Sequence, residues 1–101
     1  MKYTYEENLK KLKIDLDEDI DMNSCRSLRT IVDGYIMRYS PNVCELDMSS
    51  VKFMDSSGLG FIMGRYNLAK MLGCELVVNN PDSSIKKLLA MYKTENGIKV
   101  R

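Results

Sequence analysis

The stretch VCELDMSSVKFMDSSGLGFIMGRYNLAKMLGCELVV, residues 43–78, decides the fold class. It opens with a short, mostly apolar run at residues 43–48, which is typical of a buried strand. A helical pattern follows over residues 55–72, and Gly73 is expected to end that helix. Residues 76–78 then predict a second strand. A strand, a helix and a strand in succession indicate an α/β domain with a mostly parallel sheet of four to five strands and helices packed on it.

The flanking residues extend the same alternation. Residues 3–5 predict an edge strand, residues 11–16 alternate apolar and polar side chains, and residues 98–100 predict a last short strand. Asp21 or Asn23 is expected to cap the start of the first predicted helix, which contains Leu28 to Tyr39. Two additional helices are predicted from apolar side chains three and four positions apart, namely Leu28, Ile31, Val32, Tyr35, Ile36 and Tyr39, and Ile85, Leu88, Leu89 and Tyr92. The predicted order is β-β-α-β-α-β-α-β.

The length of 101 residues fits one domain, residues 1–101, with one modest core. The net charge is +1 and the Lys and Arg residues are scattered, so neither a nucleic acid nor a membrane is expected as a direct partner. No apolar run has the length of a membrane span or a signal peptide, and we expect the protein in the cytoplasm.

The residue types that carry chemistry argue against an enzyme. The chain has no histidine, which removes the commonest general base and metal ligand. Its three cysteines, Cys25, Cys44 and Cys74, are far apart in the sequence, so neither a disulfide framework nor a zinc site is predicted. We expect neither catalysis nor a cofactor.

The polar segment Asp55-Ser56-Ser57-Gly58 stands at a predicted helix start. One interpretation is a helix cap, because Asp and Ser side chains accept hydrogen bonds from the free N–H groups of the first turn. The other is a phosphoacceptor, because a hydroxyl at a helix start is exposed and the local field favours added negative charge. Spacing alone favours the cap and does not choose between Ser56 and Ser57 as acceptor.

Three glycines, Gly58, Gly60 and Gly64, are unusual within a helix, where each costs up to about 1 kcal/mol relative to alanine. Close approach of the backbone to the sheet or to a partner would explain them. A nucleotide site is the alternative, but the spacing departs from GxGxxG and no Gly-Lys-Ser/Thr follows. The nearby Arg65 is expected to pair with an acid, with phosphate binding as the alternative.

The stretch FMDSSGLG at residues 53–60, continued by Gly64-Arg65-Tyr66, resembles the signature of the anti-sigma factor antagonists, which are bacterial STAS-domain proteins. The resemblance is strongest to the branch that controls the sporulation sigma factor F, and it extends over residues 12–100. It implies that the unphosphorylated protein binds an anti-sigma factor that is also a serine kinase, and so frees the sigma factor. The kinase then phosphorylates Ser57 and releases the antagonist, and a serine phosphatase resets the cycle.

The resemblance also implies a contact surface, since Asp21 matches a family acid that lies near the phosphorylation site. For Met63, burial on the core side of its helix is the alternative. The residues predicted to contact the partner are Asp21, Asn23, Ser56, Gly58, Leu59, Gly60 and Met63. The alternative function is a structural STAS module of a larger signalling assembly, with Ser57 only a cap.

Three departures from the family pattern lie outside the signature. Residues 17–20 stand where the family usually has a glycine, and Met22-Asn23 replaces a histidine pair of the nearest relatives. The final C-terminal helix of the family has no counterpart after the last predicted strand. We therefore expect an exposed apolar sheet face and a monomer or weak homo-oligomer.

Overall fold

The middle of the chain folds into a strand, a helix and a strand, and its two strands are parallel neighbours. The computed structural model describes residues 1–91 and 98–101. The elements in chain order are β1 (Lys2–Glu6), β2 (Lys11–Asp15), α1 (Cys25–Tyr39), β3 (Val43–Asp47), α2 (Ser56–Met71), β4 (Glu75–Asn79), α3 (Ser83–Met91) and β5 (Lys99–Val100). The predicted order is confirmed, and the predicted helical position Tyr92 lies outside the described residues.

All five strands lie in one sheet, in the order β1-β2-β3-β4-β5. β1 runs antiparallel to β2, and the other three strand pairs are parallel, which confirms the mostly parallel α/β sheet. Each parallel connection carries one helix. Because such crossovers are right-handed and step along the sheet in one direction, α1, α2 and α3 lie on the same face. Within the described ranges, no helix has the length and apolar character needed to cross a membrane.

The core lies between the sheet and these helices. In β2 the side chains alternate between buried and outward positions, with Leu12 and Ile14 in the core, whereas the central strands β3 and β4 are buried at successive positions. The buried helix residues that belong to the core cluster are Leu28, Val32 and Ile36 of α1, Phe61, Ile62 and Ala69 of α2, and Ile85 of α3. Ile31, which we predicted in the apolar stripe, is 43% exposed, because a helix on a sheet buries a narrower stripe than the periodicity suggests.

Aromatic rings attach the edge strand β1 to α1. The Tyr3 ring stacks on Tyr35 with centroids 4.1 Å apart, and the Tyr5 ring stacks on Tyr39 at 4.5 Å. The Tyr3 and Tyr39 hydroxyls also lie 3.1 Å apart and share a hydrogen bond. The predicted edge strand at residues 3–5 is therefore confirmed.

The face of the sheet opposite the helices is polar. Glu45, at the centre of this face, is buried between two cations. Four ion pairs join neighbouring positions: Lys11–Glu45 at 3.3 Å, Lys13–Asp47 at 3.8 Å, Lys99–Glu75 at 3.1 Å and Arg101–Glu45 at 3.7 Å. Our expectation of an exposed apolar sheet face is wrong for the described residues, because the outward strand positions carry these charges.

Asp47, the last residue of β3, ties together the loops that follow β3 and β4. Its carboxylate accepts hydrogen bonds from the Ser49 backbone N–H at 2.9 Å, the Ser49 hydroxyl at 2.7 Å and the Asn80 side-chain amide at 3.2 Å. Burial acts to raise the pKa of Asp47, but these hydrogen bonds together with Lys13 hold that pKa below its ordinary value. The turn at residues 49–50 is thereby anchored to the loop that follows the neighbouring strand β4.

Two helices are followed by residues with left-handed backbone. Ser40 has φ 41°, and its N–H donates to the Ile36 carbonyl at 2.9 Å. Gly73 follows α2 and has φ 70°. It was predicted to end the helix at residues 55–72. Glycine adopts this conformation without a steric penalty, whereas serine does not.

We predict that Ser40→Gly raises and Gly73→Ala lowers the free energy of unfolding, each by about 1 kcal/mol. A Cβ added at Gly73 meets no atom within 4 Å, so this substitution reports backbone strain alone. Urea denaturation followed by circular dichroism measures both changes. Unfolding midpoints identical to that of the parent would contradict the assignment of strain.

We also predict that Asp47→Asn lowers the free energy of unfolding at pH 7 by about 1–3 kcal/mol, because the Ser49 and Asn80 donors lose a charged acceptor. The folded-state pKa of Asp47 is depressed, so its ionised form contributes stability above the unfolded pKa of about 4. That contribution is lost as the pH falls through the folded pKa.

The free energies of unfolding of Asp47→Asn and of the parent should therefore approach each other as the pH falls below about 4. Urea titrations at several pH values measure both. The control is Asp15→Asn, at the exposed position paired with Asp47 across β2 and β3. If the two free energies of unfolding differed by the same amount at every pH, the charge of Asp47 would contribute nothing to stability.

Candidate functional site

A parallel bridge between Ile20 and Met54 brings the two candidate regions of the sequence together. The Ile20 N–H donates to the Phe53 carbonyl at 3.1 Å, and the Asp55 N–H donates to the Ile20 carbonyl at 3.3 Å. Both bridging side chains are buried. The segment that enters α1 is thereby held against the segment that enters α2.

Gly58 is needed for this bridge. A Cβ at position 58 would lie 2.7 Å from the Ile20 carbonyl oxygen and would overlap the Met54 side chain. The neighbouring Leu59 is only 5% exposed. We predicted both residues as partner contacts, but the structure places them in the interior, where they support the surface without offering a side chain to it.

Asp55 caps α2. Its Oδ1 accepts the backbone N–H of Ser57 at 2.8 Å and that of Gly58 at 3.3 Å. The cap interpretation of this segment is therefore confirmed for Asp55, and neither serine is required as the cap. Ser56 is exposed and Ser57 is half-buried.

Asp21 binds the backbone of the turn that leads into α1. Its Oδ1 accepts the backbone N–H of Asn23 at 2.9 Å and that of Ser24 at 3.0 Å, and its carbonyl accepts the Cys25 N–H at 3.0 Å. The cap position of α1 itself is held by Ser24, without a side-chain cap hydrogen bond, so neither predicted cap occupies it: Asp21 binds the turn before the helix, and Asn23 is exposed.

Cys25 links the starts of the two helices directly. Its thiol donates to the Ser57 carbonyl at 3.2 Å. Burial, followed by the negative charges of Asp55 and Asp21, raises the pKa of Cys25, so the thiol stays protonated and remains a donor at neutral pH. No spacing pattern in the sequence indicates this role of Cys25, because the contact joins residues that are far apart along the chain.

Arg65 of α2 is buried and pairs with an acid, as predicted. Its Nε lies 2.6 Å from Asp33 Oδ1, and its Nη1 donates to the Phe61 carbonyl at 3.2 Å. Arg29 Nε is also near Asp33, 3.8 Å from Oδ2. This cluster joins the middle of α1 to the middle of α2.

A cleft of about 470 Å³ opens between the first halves of α1 and α2. The residues that line it are Met22, Cys25, Arg26, Arg29, Gly60, Phe61, Gly64 and Arg65. The exposed Gly60 belongs to this cleft, and Met63, another predicted contact, is half-buried. Among residues 1–91 and 98–101, no three His, Cys, Asp or Glu side chains are grouped to hold a metal ion.

Comparison with known sequences identifies the family. A family model described as "Mlab, STAS domain" matches residues 3–100. The anti-sigma F factor antagonist of Paenibacillus polymyxa is 34% identical over 80 residues, which cover 79% of this chain and 68% of that protein.

Solved structures share the fold at lower identity. SpoIIAA, an anti-sigma factor antagonist, superimposes in its unphosphorylated form with a TM-score of 0.71 at 19% identity, over 99% of this chain and 87% of that one. The phosphorylated form of Bacillus SpoIIAA gives 0.72 at 18% identity, over 99% and 91%. Thermotoga maritima TM1081 gives 0.85 at 15% identity, over 98% and 83%. The chain therefore belongs to the STAS domain family and, within it, to the anti-sigma factor antagonists.

Proposed function

We propose that this protein is an anti-anti-sigma factor that is switched by phosphorylation of Ser57. In the cytoplasm, its unphosphorylated form binds an anti-sigma factor that is also a serine kinase, and so frees the sigma factor. Phosphorylation of Ser57 ends that binding, and a separate serine phosphatase restores it. The observation that carries the proposal is the Asp55 cap, because it serves the start of α2 without the Ser57 hydroxyl, which has no hydrogen bond within residues 1–91 and 98–101.

The backbone of Ser57 is held from both sides, which supports its choice over Ser56. Asp55 accepts the Ser57 N–H, and the Cys25 thiol binds the Ser57 carbonyl. A fixed backbone presents the hydroxyl in a defined place, and phosphoryl transfer depends on such positioning. Ser56 is exposed, and we assign it to the contact surface instead of to the phosphorylation site.

A phosphate on Ser57 would enter a region that is already negative. Asp21 and Asp55 are both close enough to Cys25 to raise its pKa, and Cys25 contacts Ser57. The phosphate adds about −1.5 to −2 charges at neutral pH. A partner surface that fits a neutral hydroxyl beside two carboxylates would face a mismatch of several kcal/mol, and each 1.4 kcal/mol is a factor of about ten in affinity.

The proposed contact surface surrounds Ser57. Two exposed apolar side chains next to the Ile20–Met54 bridge, Met22 at 77% and Phe53 at 52%, give this surface apolar anchors that our sequence analysis did not include. The predicted contacts that keep an accessible position are Asp21, Asn23, Ser56, Gly60 and Met63. Gly58 and Leu59 contribute by supporting the backbone below them.

We predict that incubation with the cognate anti-sigma kinase and ATP phosphorylates Ser57 alone, as mapped by mass spectrometry. The chain contains its own control, because Asp82-Ser83-Ser84 repeats the tripeptide Asp55-Ser56-Ser57 at the start of α3. Asp82 caps that helix in a similar way, accepting the Ile85 N–H. Modification of Ser56 or Ser84, or none at all, would refute the assignment.

We further predict that Ser57→Ala abolishes modification while it keeps the affinity for the kinase, and that Ser57→Asp lowers this affinity at least about tenfold through its added charge. Calorimetric or surface-plasmon titration measures both constants. Ser84→Asp makes the same chemical change at the other helix start and should bind as the parent does. If Ser57→Asp also bound as the parent does, exclusion by charge would be wrong.

A further inference from the structure

Gly60 and Gly64 have no explanation within the fold. A Cβ added at either position meets no atom within 4 Å, in contrast to Gly58, where the neighbouring backbone leaves no room. Glycine within a helix is disfavoured relative to alanine. The two glycines are one turn apart on α2, and both line the cleft between α1 and α2. Their effect is to keep that cleft open down to the helix backbone.

The other wall of the cleft is cationic. Arg26 and Arg29 of α1 line it, Arg65 of α2 also lines the cleft, and one carboxylate, that of Asp33, lies within ion-pair distance of Arg29 and Arg65. Within residues 1–91 and 98–101, no acid lies within ion-pair distance of Arg26. Arg29 is 71% exposed and touches Asp33 only at 3.8 Å. Arg26, which has no acid within ion-pair distance among these residues, and Arg29, whose contact with Asp33 is long, can both bind an anion, and their planar donors suit a carboxylate.

The cleft adjoins the proposed phosphorylation site. Cys25 lines the cleft and also hydrogen-bonds to the Ser57 carbonyl. A protein that covers Ser57 therefore reaches the cleft as well. Acidic and cationic groups both lie near Cys25, because Asp55, Asp21 and Arg65 all act on the charge of its thiol, and an arrangement of both signs helps to fix the orientation of a docked partner.

We propose that the cleft binds an acidic segment of the partner kinase. Carboxylate side chains of that segment pair with Arg26 and Arg29, and its backbone lies against Gly60 and Gly64. This inference rests on the proposed function, because continuity with the Ser57 surface identifies the partner.

The first test reverses the charge at the rim. Arg26→Glu combined with Arg29→Glu should weaken binding of the purified kinase at least about thirtyfold and reduce the salt dependence of the affinity. The control is Lys86→Glu combined with Lys87→Glu, which makes the same charge change on the exposed side of α3 and should leave the affinity unchanged. Binding within about twofold of wild type in the arginine variant would overturn the proposal.

The second test fills the cleft without weakening the fold. Gly60→Ala combined with Gly64→Leu adds side chains to the wall of the cleft, at two positions where an added Cβ meets no atom within 4 Å. The urea midpoint should rise, because alanine and leucine favour a helix, while the affinity for the kinase should fall at least about tenfold. Lost binding in a more stable protein cannot be attributed to unfolding. Unchanged affinity would contradict the proposed seat for the partner backbone.

The third test does not depend on the kinase. An acetylated hexaglutamate peptide, titrated into ¹⁵N-labelled protein, should shift the amide signals of Gly60 and Gly64 and the Nε–H signals of Arg26 and Arg29. The Arg26→Glu, Arg29→Glu variant should show none of these shifts. If the peptide shifted none of these signals, an acidic segment would be refuted as the occupant. The same conclusion would follow if ATP, titrated separately at equal concentration, shifted these signals more than the peptide does. A failure of the proposed function alone would appear instead as unmodified Ser57 with the peptide shifts intact.

Discussion

The parallel bridge between Ile20 and Met54 is the constraint on which the functional end of this molecule depends. Two backbone hydrogen bonds join chain segments that belong to different crossovers of the sheet. They set the separation between the starts of α1 and α2, and they leave no space for a side chain at Gly58. The position of Asp21 relative to Ser57 is therefore a property of the backbone, and it does not rely on long side chains that sample many rotamers.

The topology explains why such a bridge is available. β2, β3 and β4 are parallel, so the loops that follow them meet at one edge of the sheet, where ligand sites of open α/β sheets usually lie. Asp47 links the loops after β3 and β4 through Ser49 and Asn80. On the same side of the sheet, the thiol of Cys25 joins one helix start to the other. Each loop at this edge is thus connected to its neighbour.

The sequence predicts the elements well, because apolar periodicity is local. It places the Asp55-Ser56-Ser57 segment at a helix start and identifies Gly73 as a helix end, and both are confirmed. It does not reveal that Gly58 and Leu59 are interior, because the groups that bury Gly58 come from Ile20 and Met54.

Contacts between separate elements were also beyond the sequence. Periodicity shows which side of a helix is apolar, but not which residues of another helix it meets. The pairing of Arg65 with an acid was expected, whereas its partner Asp33 was not. The ion pairs on the open face of the sheet, such as Lys11–Glu45, depend on strand register, which the pattern of one strand does not define.

The Asp55 cap has a consequence for how dissolved anions act on this protein. The start of a helix attracts phosphate and other anions through its free N–H groups. Here the N–H groups of Ser57, Gly58 and Leu59 already bind the side chain or carbonyl of Asp55. Free phosphate and anionic metabolites therefore find this helix start occupied and do not imitate a group attached to Ser57. The switch that we propose at Ser57 would therefore respond to a covalent change and not to the salt content of the surroundings.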